Sequence, residues 1–87
     1  KMLAEGKLTP DEIKKYLIEV NKIIGKRIAQ SRILFNISSK ELAKVIDVSQ
    51  QQLYKYETGK NRISVGRLSL IAKKFCKDLN YFLDKER

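Results

Sequence analysis

Apolar residues recur at intervals of three and four along most of the chain, and no stretch alternates apolar and polar in the manner of a strand. The pattern opens at Thr9-Pro10-Asp11-Glu12. Thr9 can cap a helix, proline suits the first turn, and Glu12 completes a capping box. Ile13, Leu17, Val20, Ile24 and Ile28 continue the stripe. It fits one helix running to about Leu34, or two helices broken near Asn21 and Gly25. We read it as broken, because asparagine caps helices and an interior glycine costs roughly 1 kcal/mol. Ser38-Ser39-Lys40-Glu41 starts a short helix with Leu42, Ala43, Val45 and Ile46 inward. Asp47-Val48 interrupts it, and aspartate tolerates the left-handed backbone of a tight turn. Ser49 then caps a helix that stops before Gly59. Ser64 caps another with Val65, Leu68, Ile71, Ala72 and Phe75 inward, and Asp78 caps a last one with Leu79, Phe82 and Leu83. The expectation is an all-α domain of five helices over residues 21–87, with residues 1–20 as a helical extension.

Composition narrows the picture. Eighty-seven residues make one small domain, and 43% hydrophobic content is enough for one core. The single Cys76 excludes an internal disulfide, and the absence of histidine excludes the common zinc sites. Cys76 itself reads as a small buried or half-buried apolar residue. No apolar run suggests a membrane span and no signal peptide is visible, and the lone cysteine fits a reducing compartment, so a cytoplasmic protein is expected. The opening Lys1, in place of methionine, suggests a trimmed fragment or added residues.

Charge changes the picture more. The net +9 is concentrated: residues 1–20 are neutral, residues 21–77 carry +10, and residues 78–87 carry −1. A basic block of this kind is either a solubilising surface or the footprint of a polyanion.

The segment SQQQLYKYETG, residues 49–59, favours the polyanion. Two short helices joined by a tight turn make a helix-turn-helix, whose second helix enters the DNA major groove. At 100° per residue, Gln50, Gln51, Tyr54, Lys55 and Thr58 share one face, while Leu53, Tyr56 and Glu57 turn inward. A glutamine amide can bond the N6 and N7 of adenine, and a lysine can reach guanine or phosphate. Gln50, Gln51, Tyr54 and Lys55 are therefore the candidate base contacts.

The stretch IGKRIAQSRILFNISSKELAKVIDVSQQQLYKYETGKNRIS resembles the Cro/C1-type helix-turn-helix repressors, the xenobiotic-response-element group. The likeness runs from about Asn21 to Asp84, and rests on I-G-x-R-I, E-L-A and Y-E-T-G-x-N-R-I-S taken together. It implies a five-helix, λ-repressor-like fold that binds palindromic operators as a homodimer. Position by position, it implies base reading by Gln50, Gln51 and Lys55. It implies phosphate contacts at Ser38, Ser49, Lys60, Asn61 and Arg62. Ser39 and Thr58 join that phosphate set, Ser39 being short where the family often carries glutamine. Arg32 and Glu57 match a structural pair. Asp47 replaces a common turn glycine, and Lys77 replaces a common apolar residue.

Lys26, Lys40, Lys44 and Lys74 are either phosphate contacts or solvated surface. Tyr81, Phe82 and Leu83 are the first candidates for a dimer surface, and the amphipathic 10–20 segment the second. No catalytic constellation, phosphate loop, metal cluster or cofactor motif is visible, so no enzyme and no cofactor is expected. The alternative function is an antitoxin that binds a protein toxin through its N-terminal segment and autoregulates its promoter. The chain lacks the aromatic sheet and glycine loop of common RNA-binding modules.

Overall fold

Both halves of the predicted capping box at Thr9 form. Its hydroxyl accepts from the Glu12 amide at 3.2 Å, and Glu12 Oε1 accepts from the Thr9 N–H at 2.9 Å. From this cap the computed structural model, which describes residues 7–83, runs one helix, α1, over Pro10–Leu34. The break expected near Asn21 and Gly25 is absent. Residues 1–6 of the expected extension and 84–87 of the expected domain lie outside the described residues.

Gly25 has a tertiary role instead. A Cβ placed on it would come within 2.7 Å of the Glu57 carbonyl oxygen, and closer still to that of Tyr56. The glycine therefore lets α1 cross the backbone of the later helix at close range, and that contact outweighs its poor helix propensity.

Four shorter helices follow: α2 over Ser39–Val45, α3 over Gln50–Glu57, α4 over Val65–Phe75 and α5 over Asn80–Leu83. Ser38, Ser49 and Ser64 cap α2, α3 and α4, each hydroxyl accepting from the amide three residues on. Only half of the box at Ser38 forms, since the Glu41 carboxylate lies 3.6 Å from Lys74 Nζ on α4.

Helices α1 to α4 all end the same way. A residue just past each turns left-handed: Asn36, Asp47 and Gly59 two positions beyond α1, α2 and α3, and Cys76 directly after α4, at φ +57°, +59°, +77° and +56°. The next amide then reaches back to a carbonyl five residues earlier. These are Ile37 to Arg32, Val48 to Ala43, Lys60 to Lys55 and Lys77 to Ala72, at 2.9–3.0 Å. Three of the four lack glycine, at roughly 1–2 kcal/mol each. This places Cys76 at an exposed helix end, correcting the expectation that it is buried or half-buried.

The core joins Ile24 and Ile28 of α1, Leu42 and Ala43 of α2 with Ile46 at its C-terminal cap, Leu53 and Tyr56 of α3, Leu68, Ile71, Ala72 and Phe75 of α4, and Phe82 of α5. Val65, expected inward, is 71% exposed, because it opens α4 ahead of the turn that meets the core. Phe82 is fully buried, so the C-terminal aromatics do not form the free surface considered for a dimer. Tyr81 is half-buried, with Arg27 and Lys77 5.0 and 4.8 Å from its ring centre, and only Leu83 of the three is exposed. Ser31 donates to the Tyr81 hydroxyl at 3.4 Å. That bond, followed by the two cations, holds the hydroxyl below the ordinary tyrosine range against the opposing effect of burial.

Candidate nucleic-acid interface

The inward side of α3 is fastened on every flank. Leu53 is 1% exposed and Tyr56 8%, and the backbone at Tyr56 and Glu57 lies against Gly25. Arg32 Nε and Nη2 donate to the two Glu57 carboxylate oxygens at 2.8 and 3.2 Å, as the structural pair requires. A third donation, from Arg32 Nη1 to the Ile37 carbonyl at 3.3 Å, ties the same guanidinium to the turn before α2. The forked geometry suits arginine and would be lost with lysine.

The outward side carries the predicted base contacts. Gln50, Gln51, Tyr54 and Lys55 are all exposed. With Ser39 from the first turn of α2, they line an open depression of about 540 Å³. The structure thus brings together side chains from both helices of the motif on one concave surface. Among the described residues, no hydrogen bond or ion pair engages the Gln50, Gln51 or Lys55 side chains. Buried in a monomer core such amides would be costly, but here they face solvent with full donor and acceptor capacity. Tyr54 is 58% exposed, and Lys60 Nζ lies 5.8 Å from its ring centre.

The residues assigned to phosphate fall into two groups. Ser38 and Ser49 use oxygen lone pairs in capping, at 3.0 Å to Glu41 N and Gln52 N, so their O–H donors stay available to an anion. Lys60, Asn61 and Arg62 form an exposed loop after α3. Thr58 is different: its hydroxyl donates back to the Tyr54 carbonyl at 2.9 Å, which commits its one proton within the helix. Lys26, Lys40 and Lys44 are exposed, while Lys74 approaches Glu41.

Sequence reasoning missed two residues that position this face. In the sequence Gly25 looks like a breaker. Arg67, in the first turn of α4, sends Nε to the Ile46 carbonyl at 2.9 Å and Nη2 toward the Asp47 carbonyl at 3.5 Å. No local pattern could have identified Arg67, since its partners lie 20 and 21 residues away. Among the described residues there is no cluster of ligands able to hold a metal ion, and no helix long and apolar enough to cross a membrane.

The helix-turn-helix family model matches residues 28–82. The chain is similar to an HTH-type transcriptional regulator of Rickettsia conorii, 47% identical over 66 residues, or 76% of this chain and 53% of the relative. It is similar to a transcriptional regulator in the ATPase CF(0) region of Rhodospirillum rubrum, 39% identical over 79 residues, or 90% of this chain and 73% of the relative. A Sinorhizobium fredii HTH-type transcriptional regulator is 40% identical over 65 residues, or 75% of this chain and 46% of its own. The chain spans about half the length of the Rickettsia and Sinorhizobium relatives. Two capped helices across a four-residue turn, the Arg32–Glu57 tie and the family match agree: the chain belongs to the Cro/C1-type helix-turn-helix family of DNA-binding transcriptional regulators.

Proposed function

We propose that this domain reads a specific double-stranded DNA sequence by laying α3 in the major groove, and that it acts as a homodimeric repressor on a palindromic operator. The carrying observation is the contrast within α3: an inward side fixed by Leu53, Tyr56 and Glu57, and an outward side whose Gln50, Gln51 and Lys55 side chains engage no partner among the described residues. Gln50 and Gln51 read adenines from the first turn, Lys55 reaches guanine or phosphate, and Tyr54 supplies an apolar edge for a thymine methyl. Ser38, Ser39, Ser49, Thr58, Lys60, Asn61 and Arg62 hold the backbone, with the helix amides at Ser38 and Ser49 adding to the phosphate grip. Thr58 needs its hydroxyl to rotate away from Tyr54 to do so. Three to five phosphates per half-site would make the affinity strongly salt-dependent, roughly by orders of magnitude.

A dimer is the economical arrangement because one domain touches too few bases for operator specificity. Its half-sites lie about 34 Å apart, one helical turn. The DNA-binding unit is residues 21–87, and it works in the cytoplasm at the bacterial or phage nucleoid. Residues 1–20 serve as an extension.

A second reading, an antitoxin, draws on the leading half of α1. There Ile13, Tyr16 and Leu17 are 44, 60 and 47% exposed, an apolar stripe suited to a protein partner. Co-purification with a small neighbouring-gene product would support it.

Selection of bound duplexes from a random pool tests the first reading. Enrichment of an inverted repeat with one-turn spacing supports it, and the absence of any enriched sequence overturns it.

A further inference from the structure

We infer that Arg67 is a positioning residue for DNA reading: its guanidinium fixes the turn between α2 and α3, and so sets the attitude of the recognition helix. The inference rests on α3 being the element that reads bases.

The carbonyl ends of α2 explain the need. Ile46 N bonds Leu42 O at 3.3 Å, Asp47 N bonds Lys44 O at 3.2 Å and Val48 N bonds Ala43 O at 3.0 Å. These amides satisfy the carbonyls of Leu42, Lys44 and Ala43. Among the described residues, no backbone amide reaches the carbonyls of Ile46 or Asp47. Those two oxygens sit at the negative end of α2, in a turn whose central residue, Asp47, is held left-handed at φ +59° without glycine. Arg67 supplies what is missing. Its Nε lies 2.9 Å from Ile46 O and its Nη2 3.5 Å from Asp47 O.

The anchor is itself rigid. Arg67 belongs to the first turn of α4, where its amide bonds the Ser64 cap at 3.1 Å, and the next residue, Leu68, is in the core. Its side chain is half-buried. Only two residues separate Ile46 from Ser49, the cap of α3. A change in the direction of those carbonyls therefore passes directly into the start of α3, where Gln50 and Gln51 stand. The fork matters as well as the charge. Lysine would replace the rigid planar fork with a compact ammonium on a flexible stem, and methionine offers no donor.

The test uses Arg67→Met and Arg67→Lys beside the wild-type chain, on the duplex that the wild type selects from a random pool. Three quantities are read: affinity for the selected and an unrelated duplex, the salt dependence of each, and the amide resonances of residues 46–52 in the free protein. The expected result for Arg67→Met is about a tenfold or greater loss on the selected duplex. Its affinity for unrelated DNA and its salt slope should hold, and its turn resonances should shift. Arg67→Lys should lie between, and it carries the test if the methionine variant does not fold. Wild-type affinity and wild-type turn resonances in a folded variant overturn the assignment. So does an equal loss on both duplexes with the salt slope reduced by about one, which would make Arg67 a phosphate contact. If the wild type selects no sequence, the DNA-reading proposal fails first, and the turn resonances still report whether Arg67 holds the turn.

Discussion

The two sides of α3 obey different rules. Inward, every group is matched: Leu53 and Tyr56 lie in the core, Glu57 meets Arg32 at 2.8 Å, and the backbone touches α1 where only glycine fits. Outward, the side chains of Gln50, Gln51 and Lys55 are unmatched among the described residues. Eight residues thus carry a stability code on one side and a recognition code on the other. Inward changes should cost folding, and outward changes should cost discrimination while leaving folding alone.

The harshest break of that contrast is Gly25→Val. Its side chain would collide with the carbonyls of Tyr56 and Glu57, which are backbone and cannot swing away. A loss of about 3 kcal/mol or more is expected, seen as a lower denaturant midpoint or an unfolded spectrum. Glu57→Ala comes next. It strands the Arg32 guanidinium, whose side chain is 18% exposed, so the cost is less than for a fully buried pair: about 1–2 kcal/mol by urea unfolding.

Changes on the outer side should move different readouts. Gln50→Ala and Gln51→Ala should each leave stability within about 0.5 kcal/mol. Each should flatten preference at particular adenines by about 1–3 kcal/mol, measured by competition with operator variants. The smallest effect belongs to Arg62→Ala, which should weaken all duplexes alike and lower the salt slope by about one. A changed base preference with the slope intact would move Arg62 out of the phosphate group.

The outer face was legible because it depends on local geometry alone. Three caps, a helical period and a basic block suffice to turn Gln50, Gln51, Tyr54 and Lys55 to the same side. The left-handed turn at Asp47 and the stop at Gly59 were legible for the same reason. What failed depended on partners far along the chain. Gly25 looks like a helix breaker until Tyr56 and Glu57 are laid across it. Cys76 gives no local sign of a left-handed helix end, and Asn36 only a weak one. Arg67 is an unremarkable basic residue until α4 is packed beside the end of α2. Val65 satisfies the apolar period of α4 yet lies outside the core, because periodicity marks a face without saying how far along it the neighbours extend.

The leading half of α1 is a different exposed surface. It presents Ile13, Tyr16 and Leu17 where α3 presents amides, so it offers apolar area in place of hydrogen bonds.

The central claim is that the amides of α3 read base edges. The most direct measurement compares the sequences enriched from one random duplex pool by the wild type and by the Gln50→Ala, Gln51→Ala double variant. Both proteins should enrich the same spacing and symmetry, with the adenine preference lost only in the double variant. Identical base preferences from the two proteins would contradict it.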